Sequence, residues 1–239
     1  MKVAITQPNY IPWIGYFDLL NKVDLFIAFD NVQFVKRSFI GRNRVKSPNE
    51  TPTWLTVNLD SCKREDKINE VYLKDNDWHQ SHLQKLKAYY AKAKYFDLYF
   101  GFFSELLKPL KSDDSLATYN VRLLKTIAIE LGIKTKIVRS SNYIEELSGS
   151  AEDKILSLCN KIDVSAYYNF QKGVEEGLYK PENFTKVGIK LFKQKYIHPQ
   201  YSQTGNTFLP YLSIIDLMFN EGEKSLEIIN SGSNWEKLN

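Results

Sequence analysis

The first 46 residues constrain the fold more than any other stretch of this chain. Lys2–Thr6 is a short apolar run carrying Val3, Ile5 and Thr6, β-branched residues that suit a buried strand. Pro8 and Pro12 prevent its continuation as a central strand, so Gln7–Pro12 reads as a loop. From Trp13 the apolar residues Ile14, Phe17 and Leu20 recur at helical spacing, with Leu19 and Val23 alongside. A second apolar run, Asp24–Phe29, ends at Asp30. Strand, loop, helix and strand within about 30 residues make a βαβ unit, whose crossover is expected to be right-handed.

Ligands of parallel sheets sit beyond the carboxyl ends of the strands. Two segments meet that condition and both are rich in binding groups. The loop after the first strand carries Gln7, Asn9, Tyr10, Trp13 and Tyr16. The segment after the second carries Asp30, Gln33, Lys36, Arg37, Arg42, Asn43 and Arg44. This coincidence is the main functional signal.

The remainder alternates strand and helix. Thr53–Asn58 reads as a third strand and Ile68–Leu73 as a further short one. Asp75, Asn76 and Asp77 offer caps for a helix from Trp78 to about Lys94. Helices follow over Tyr95–Pro109 and from Asp113–Asp114–Ser115 to Leu131, the latter stopped by Gly132. Lys134–Ser140 reads as a strand, Ser148–Lys161 as a helix, Val164–Asn169 as a strand and Gly188–Phe192 as the last strand. Helices over Phe208–Asn220 and Lys224–Asn230 close the pattern. The expectation is a single α/β domain over residues 1–239: a Rossmann-like, mostly parallel sheet flanked by helices, with a helical insertion at about 76–131 after the third strand.

Composition narrows the class. No apolar run reaches the roughly 18 residues of a membrane span, and no signal peptide is expected, because no basic segment followed by an apolar core stands before the first strand. Two cysteines make no disulfide framework, so a cytoplasmic protein is expected. The net charge of +4 arises from 32 basic and 28 acidic residues interspersed, which is no nucleic-acid footprint. The exception is Lys36–Lys46, where five cations could grip a diphosphate or a phosphopantetheine arm, receive an acidic carrier protein, or face solvent. The many aromatics are expected in the core and at subunit contacts, leaving room for an oligomer, with some free to stack on a sugar or base.

Other candidates weigh differently. His198 follows the last expected strand, in YIHPQY with Tyr201, and is placed to act as a general base; a packed loop histidine is the plain alternative. Asp30 is a second candidate base. His79 and His82 stand three apart without further ligands, which favours a surface helix over a metal pair, so no metal and no cofactor are expected. Cys62 lies beside Lys63 and Arg64 and is a minor candidate for a thiol intermediate, whereas Cys159 falls on an apolar helix face. No Gly-x-Ser-x-Gly, Walker loop or Gly-x-Gly-x-x-Gly occurs.

The segments QPNYIPWIGYFDLL, DNVQFVKRSFIGRNRVK, YIHPQYSQ and FLPYLSIIDLMFNEG resemble the signature regions of the WbqC-like family and span both ends of the chain. Members of that family are typically encoded with enzymes that make bacterial surface polysaccharides. Some are described as transferases that place an acyl or aminoacyl group, such as glycine, on an amino sugar. The resemblance implies a transferase of O-antigen-type glycan synthesis, with a nucleotide-linked amino sugar and an acyl or aminoacyl carrier protein as partners. The alternative is a non-catalytic module that binds a sugar nucleotide or a carrier protein. A second comparison is architectural: nucleotidylyltransferases carry a His-x-Gly-His loop where Trp13–Ile14–Gly15–Tyr16 stands here. Without those histidines the phosphate charge of adenylyl transfer has no partner, which argues against that chemistry.

Overall fold

The computed structural model describes residues 1–74, 76–109 and 114–238. The opening unit forms as its pattern requires: β1 (Lys2–Thr6), α1 (Ile14–Lys22) and β2 (Leu25–Ala28), with the strands parallel and Val3 opposite Leu25. The basic segment then becomes a strand, β3 (Arg42–Lys46), paired antiparallel with β4 (Pro52–Thr56) in a two-stranded sheet of its own. Thr53–Asn58 is therefore extended as expected, but outside the main sheet. Ile68–Leu73 is not a strand: Ile68–Glu70 forms a 3-10 turn, flanked by isolated bridges from Leu73 to Leu59 and from Tyr72 to Ser115.

Three helices follow, α2 (Trp78–Tyr90), α3 (Phe96–Leu106) and α4 (Leu116–Glu130), before β5 (Lys136–Arg139). Asn76 rather than Asp77 caps α2, its Oδ1 accepting from the Trp78 amide; Asp75 and Asp113 lie outside the described residues. Gly132 ends α4 at φ 78°, a left-handed position that glycine adopts without strain. The chain continues through α5 (Ala151–Asn160), β6 (Ala166–Asn169), two short helices α6 (Gln171–Glu175) and α7 (Pro181–Lys186), and β7 (Lys190–Gln194). The helix expected from Phe208 begins only at Ile214 as α8 (Ile214–Glu221), capped by Ser213, because Tyr211 is left-handed at φ 60°. After α9 (Ser225–Ser231), a strand missed in the sequence, β8 (Trp235–Leu238), pairs antiparallel with β7.

The main sheet has the order β5-β2-β1-β6-β7-β8, parallel except at β8. Counted along its own strands this is 3-2-1-4-5-6, the doubly wound Rossmann order. Side chains alternate between two cores, as a sheet covered on both faces demands. Ala4, Phe26 and Ala28 join α1, α2, α3, α4, α8 and the hairpin on one face. Val3, Ile5, Leu25 and Ile27 join α5 and α7 on the other. Among the described residues no helix is long and apolar enough to cross a membrane.

The strand order reverses between β1 and β6, where a doubly wound sheet ordinarily binds its ligand. Here the protein's own aromatic rings stand at that point. Buried Tyr16 donates from its hydroxyl to the Gln7 carbonyl (2.8 Å), and its ring lies 5.6 Å from Phe170, just past β6. Two clefts lie elsewhere, against the β3–β4 hairpin, and a third lies between α4 and the edge strand β5.

Candidate functional site

The β1–α1 loop is held by two asparagines. Asn43, inward-facing on β3, donates from Nδ2 to the carbonyls of Tyr10 (3.0 Å) and Ile11 (2.9 Å). Asn120 on α4 does the same for Pro8 (2.9 Å) and Ile40 (2.8 Å). These bonds over-determine a loop in which Ile11 sits at φ 33°, a conformation that costs a branched residue about 1–2 kcal/mol. Tyr10 is fully buried. Its hydroxyl pairs with His82 Nδ1 (2.9 Å), while His82 Nε2 pairs with the Thr56 carbonyl (3.0 Å). A carbonyl can only accept, so His82 carries its proton on Nε2 and Tyr10 donates to Nδ1. His82 is therefore no surface histidine: it is buried at the base of the hairpin, and burial lowers its pKa to about 4.

On the outer face of β3, Arg42 and Arg44 flank Trp54 of β4. The Arg42 guanidinium lies 4.0 Å from the Trp54 ring centroid and that of Arg44 lies 5.7 Å away. Arg44 also approaches Phe39 at 5.9 Å. The Nε atoms of both arginines are shielded and have no hydrogen-bond partner. Alternation explains the arrangement, since Asn43 and Val45 point inward and Arg42 and Arg44 outward.

A cleft opens on each side of this ladder. The larger, of about 480 Å³, is lined by Phe34, Lys36, Arg37, Arg42, Asp60 and Cys62 among others. The smaller, of about 250 Å³, is formed by Asn9, Trp13, Phe39, Asn43, Arg44 and Tyr211. Gly15 makes room for one wall of the smaller one, because a Cβ there would collide with the Trp13 indole. Of the residues nominated from the sequence, Asn9, Trp13, Asn43 and Arg44 thus meet at one cleft and Lys36, Arg37 and Arg42 at the other. Gln33 stands outside both, its side chain donating to the Arg64 carbonyl.

Asp30 and His198 go to different places. Asp30 is fully buried at the end of β2, where its carboxylate accepts from Ser140 Oγ, the Ser141 amide and Ser141 Oγ, with Arg139 Nε at 3.6 Å. It joins the ends of β2 and β5. His198 stands behind the smaller cleft, stacked on Trp13 at 6.2 Å and touching Tyr211 at 5.0 Å. Tyr201 points inward, donating to Asp216 (2.8 Å).

Asp216 was not singled out in the sequence. It is fully buried on α8 and accepts from Tyr90, Tyr201 and Gln203, with Lys46 nearby. Burial pushes its pKa up to about 6 against the pull of those donors. A carboxylate inside the apolar run IIDLMF was the available signal. Trp54 and Phe39 were likewise missed; Trp54 alternates with inward Leu55, which marked it as outward-facing. Among the described residues no group of three His, Cys, Asp or Glu side chains could hold a metal ion.

Comparison with known proteins adds a family. The model of the WbqC-like protein family matches residues 7–228. An uncharacterized protein of Mycobacterium tuberculosis, Rv1507c, is 34% identical over 230 residues, covering 94% of this chain and 95% of the relative. No solved structure matches the chain.

Proposed function

Because the chain belongs to the WbqC-like protein family, we propose that it is a transferase of bacterial surface-glycan synthesis, placing an acyl or aminoacyl group such as glycyl on a nucleotide-linked amino sugar. The observation that carries this reading is the Arg42–Trp54–Arg44 ladder between two clefts. Paired guanidinium groups on the outer face of the hairpin suit a diphosphate, whose oxygens arginine bonds with charge assistance. The aromatic walls of the smaller cleft, Trp13, Phe39 and Tyr211, suit a stacked base, with Asn9 at its edge. The sugar then lies in the larger cleft.

In this reading the sugar amine attacks the carbonyl of a thioester presented by a carrier. The new C–N bond forms as the C–S bond breaks, and the thiolate leaves. Proton acceptance falls to Asp60, an exposed carboxylate lining that cleft, because the lone pairs of Asp30 and His198 already meet protein donors. Lys36 and Arg42 in the same cleft offset the charge that builds on the carbonyl oxygen. A second reading, a sugar-nucleotide binding module, draws on the same engagement of Asp30 and His198.

Calorimetric titration with uridine diphosphate N-acetylglucosamine tests the site. Arg42→Ala and Arg44→Ala should each weaken binding about 10- to 100-fold, since a charge-assisted hydrogen bond contributes about 1.5–3 kcal/mol. Parent protein that binds no nucleotide sugar sinks the proposal. With an acyl-thioester and uridine diphosphate glucosamine, Asp60→Asn should lower turnover about 10²–10⁴-fold while affinity survives. Binding without any turnover by the parent favours the module.

A further inference from the structure

We propose that His198 is a positioning residue: its neutral ring anchors the Tyr211 amide, so that the Tyr211 carbonyl holds Arg44 at the mouth of the smaller cleft. This rests on the reading of Arg44 as an anion-binding group. The tautomer follows from the partners. His198 Nε2 faces the Tyr211 N–H (3.1 Å), which can only donate, so Nε2 is the acceptor. Nδ1 faces the Pro199 carbonyl (2.9 Å), which can only accept, so Nδ1 carries the proton.

Tyr211 needs this hold, because at φ 60° it occupies the left-handed region that a bulky residue avoids. Its carbonyl accepts from Arg44 Nη2 (3.2 Å), and the Ser213 amide returns to the Arg44 carbonyl (2.8 Å). One imidazole lone pair thus fixes a strained residue, and that residue fixes a cation. Protonation of Nε2 would turn acceptor into donor and break the first link. Burial keeps His198 below its ordinary pKa, so the link is intact at neutral pH. The titratable groups against the ring are Tyr196, Tyr201 and Tyr211. Among the described residues charge stands behind all three: Asp18 acts on Tyr196, Asp216 accepts from Tyr201, and Arg44 donates to the Tyr211 carbonyl.

Two measurements on the full chain test the proposal. The first needs no ligand: nitrogen NMR of the His198 ring and hydrogen exchange of the Tyr211 amide. The parent should show an Nδ1-protonated ring. Its Tyr211 amide should be protected about tenfold more about one pH unit above the ring's NMR midpoint than about one unit below it, after correction for intrinsic exchange. His198→Phe keeps a ring without an acceptor and should lose that protection at both pH values. His198→Gln, whose amide oxygen accepts, should recover part of it and lose the pH step. The second measurement is affinity for uridine diphosphate N-acetylglucosamine, whose diphosphate does not titrate in this range. Parent affinity should fall about tenfold across the His198 midpoint read by NMR, and Asp216→Asn should retain that step. His198→Phe should bind weakly throughout. Unchanged protection and an unchanged pH profile in His198→Phe overturn the proposal. Protection as expected with no nucleotide-sugar binding supports the positioning role and overturns the anion reading of the cleft instead.

Discussion

At the scale of single residues, two buried ionisable groups act against each other in acid. His82 has a pKa of about 4 in the fold against about 6.5 in an unfolded chain. The unfolded state therefore takes up its proton first, and stability falls as pH drops from about 6.5 to about 4, by roughly 3 kcal/mol in all. Asp216 runs the other way. Its folded value of about 6 lies above the unfolded one, so its ionised form costs stability at neutral pH, and lowering the pH returns roughly 3 kcal/mol. The parent should thus show a shallow dependence over this window, measured as urea unfolding free energy. His82→Gln can still donate to Thr56 and accept from Tyr10, and should become more stable toward acid. Asp216→Asn should show the steep loss that His82 imposes. Variants with the parent's slope would remove these two groups from the account.

At the scale of elements, the β3–β4 hairpin and the β1–α1 loop form one assembly through Asn43. Asn43→Ala leaves two buried carbonyls without their donor and should cost about 2–4 kcal/mol in chemical denaturation. It should also loosen the smaller cleft, because Ile11 loses what holds its strained backbone. Gly15→Ala tests the opposite side of that cleft. The added methyl group collides with the Trp13 indole, so the ring must move, at about 1–3 kcal/mol by the usual cost of overpacking. Displacement of Trp13 should appear as a change in tryptophan fluorescence and as weaker nucleotide-sugar binding. Retained binding would place the base outside the smaller cleft. Asn43 stood among the nominated binding residues as one of the polar groups gathered after the second strand, yet its amide serves the backbone. That distinction was not legible locally: Tyr10 and Ile11 lie more than thirty residues away.

At the scale of the whole molecule, the sequence by itself determined the parallel βαβ opening, the alternation of strand and helix, and two cores on the two faces of one sheet. These follow from the spacing of apolar residues, which a short window contains. The sequence also determined that polar and cationic groups gather after β1 and β2, and most of them line the two clefts. It under-read β3, where arginine, asparagine and lysine lack strand propensity and only the inward Val45 betrayed the alternation. Tertiary structure alone decided that the switch point of the sheet is filled by Tyr16 and Phe170, and that the clefts open against a hairpin outside the sheet. It alone decided that His82 is buried and which donors complete Asp216. The physical reason is common to these cases. A polar group can leave water only where another segment supplies its partners, and here those partners are 72 residues away for His82 with Tyr10 and 126 away for Asp216 with Tyr90. Periodicity reports which face of an element is apolar; which distant donor completes a buried polar group is settled only when the elements pack.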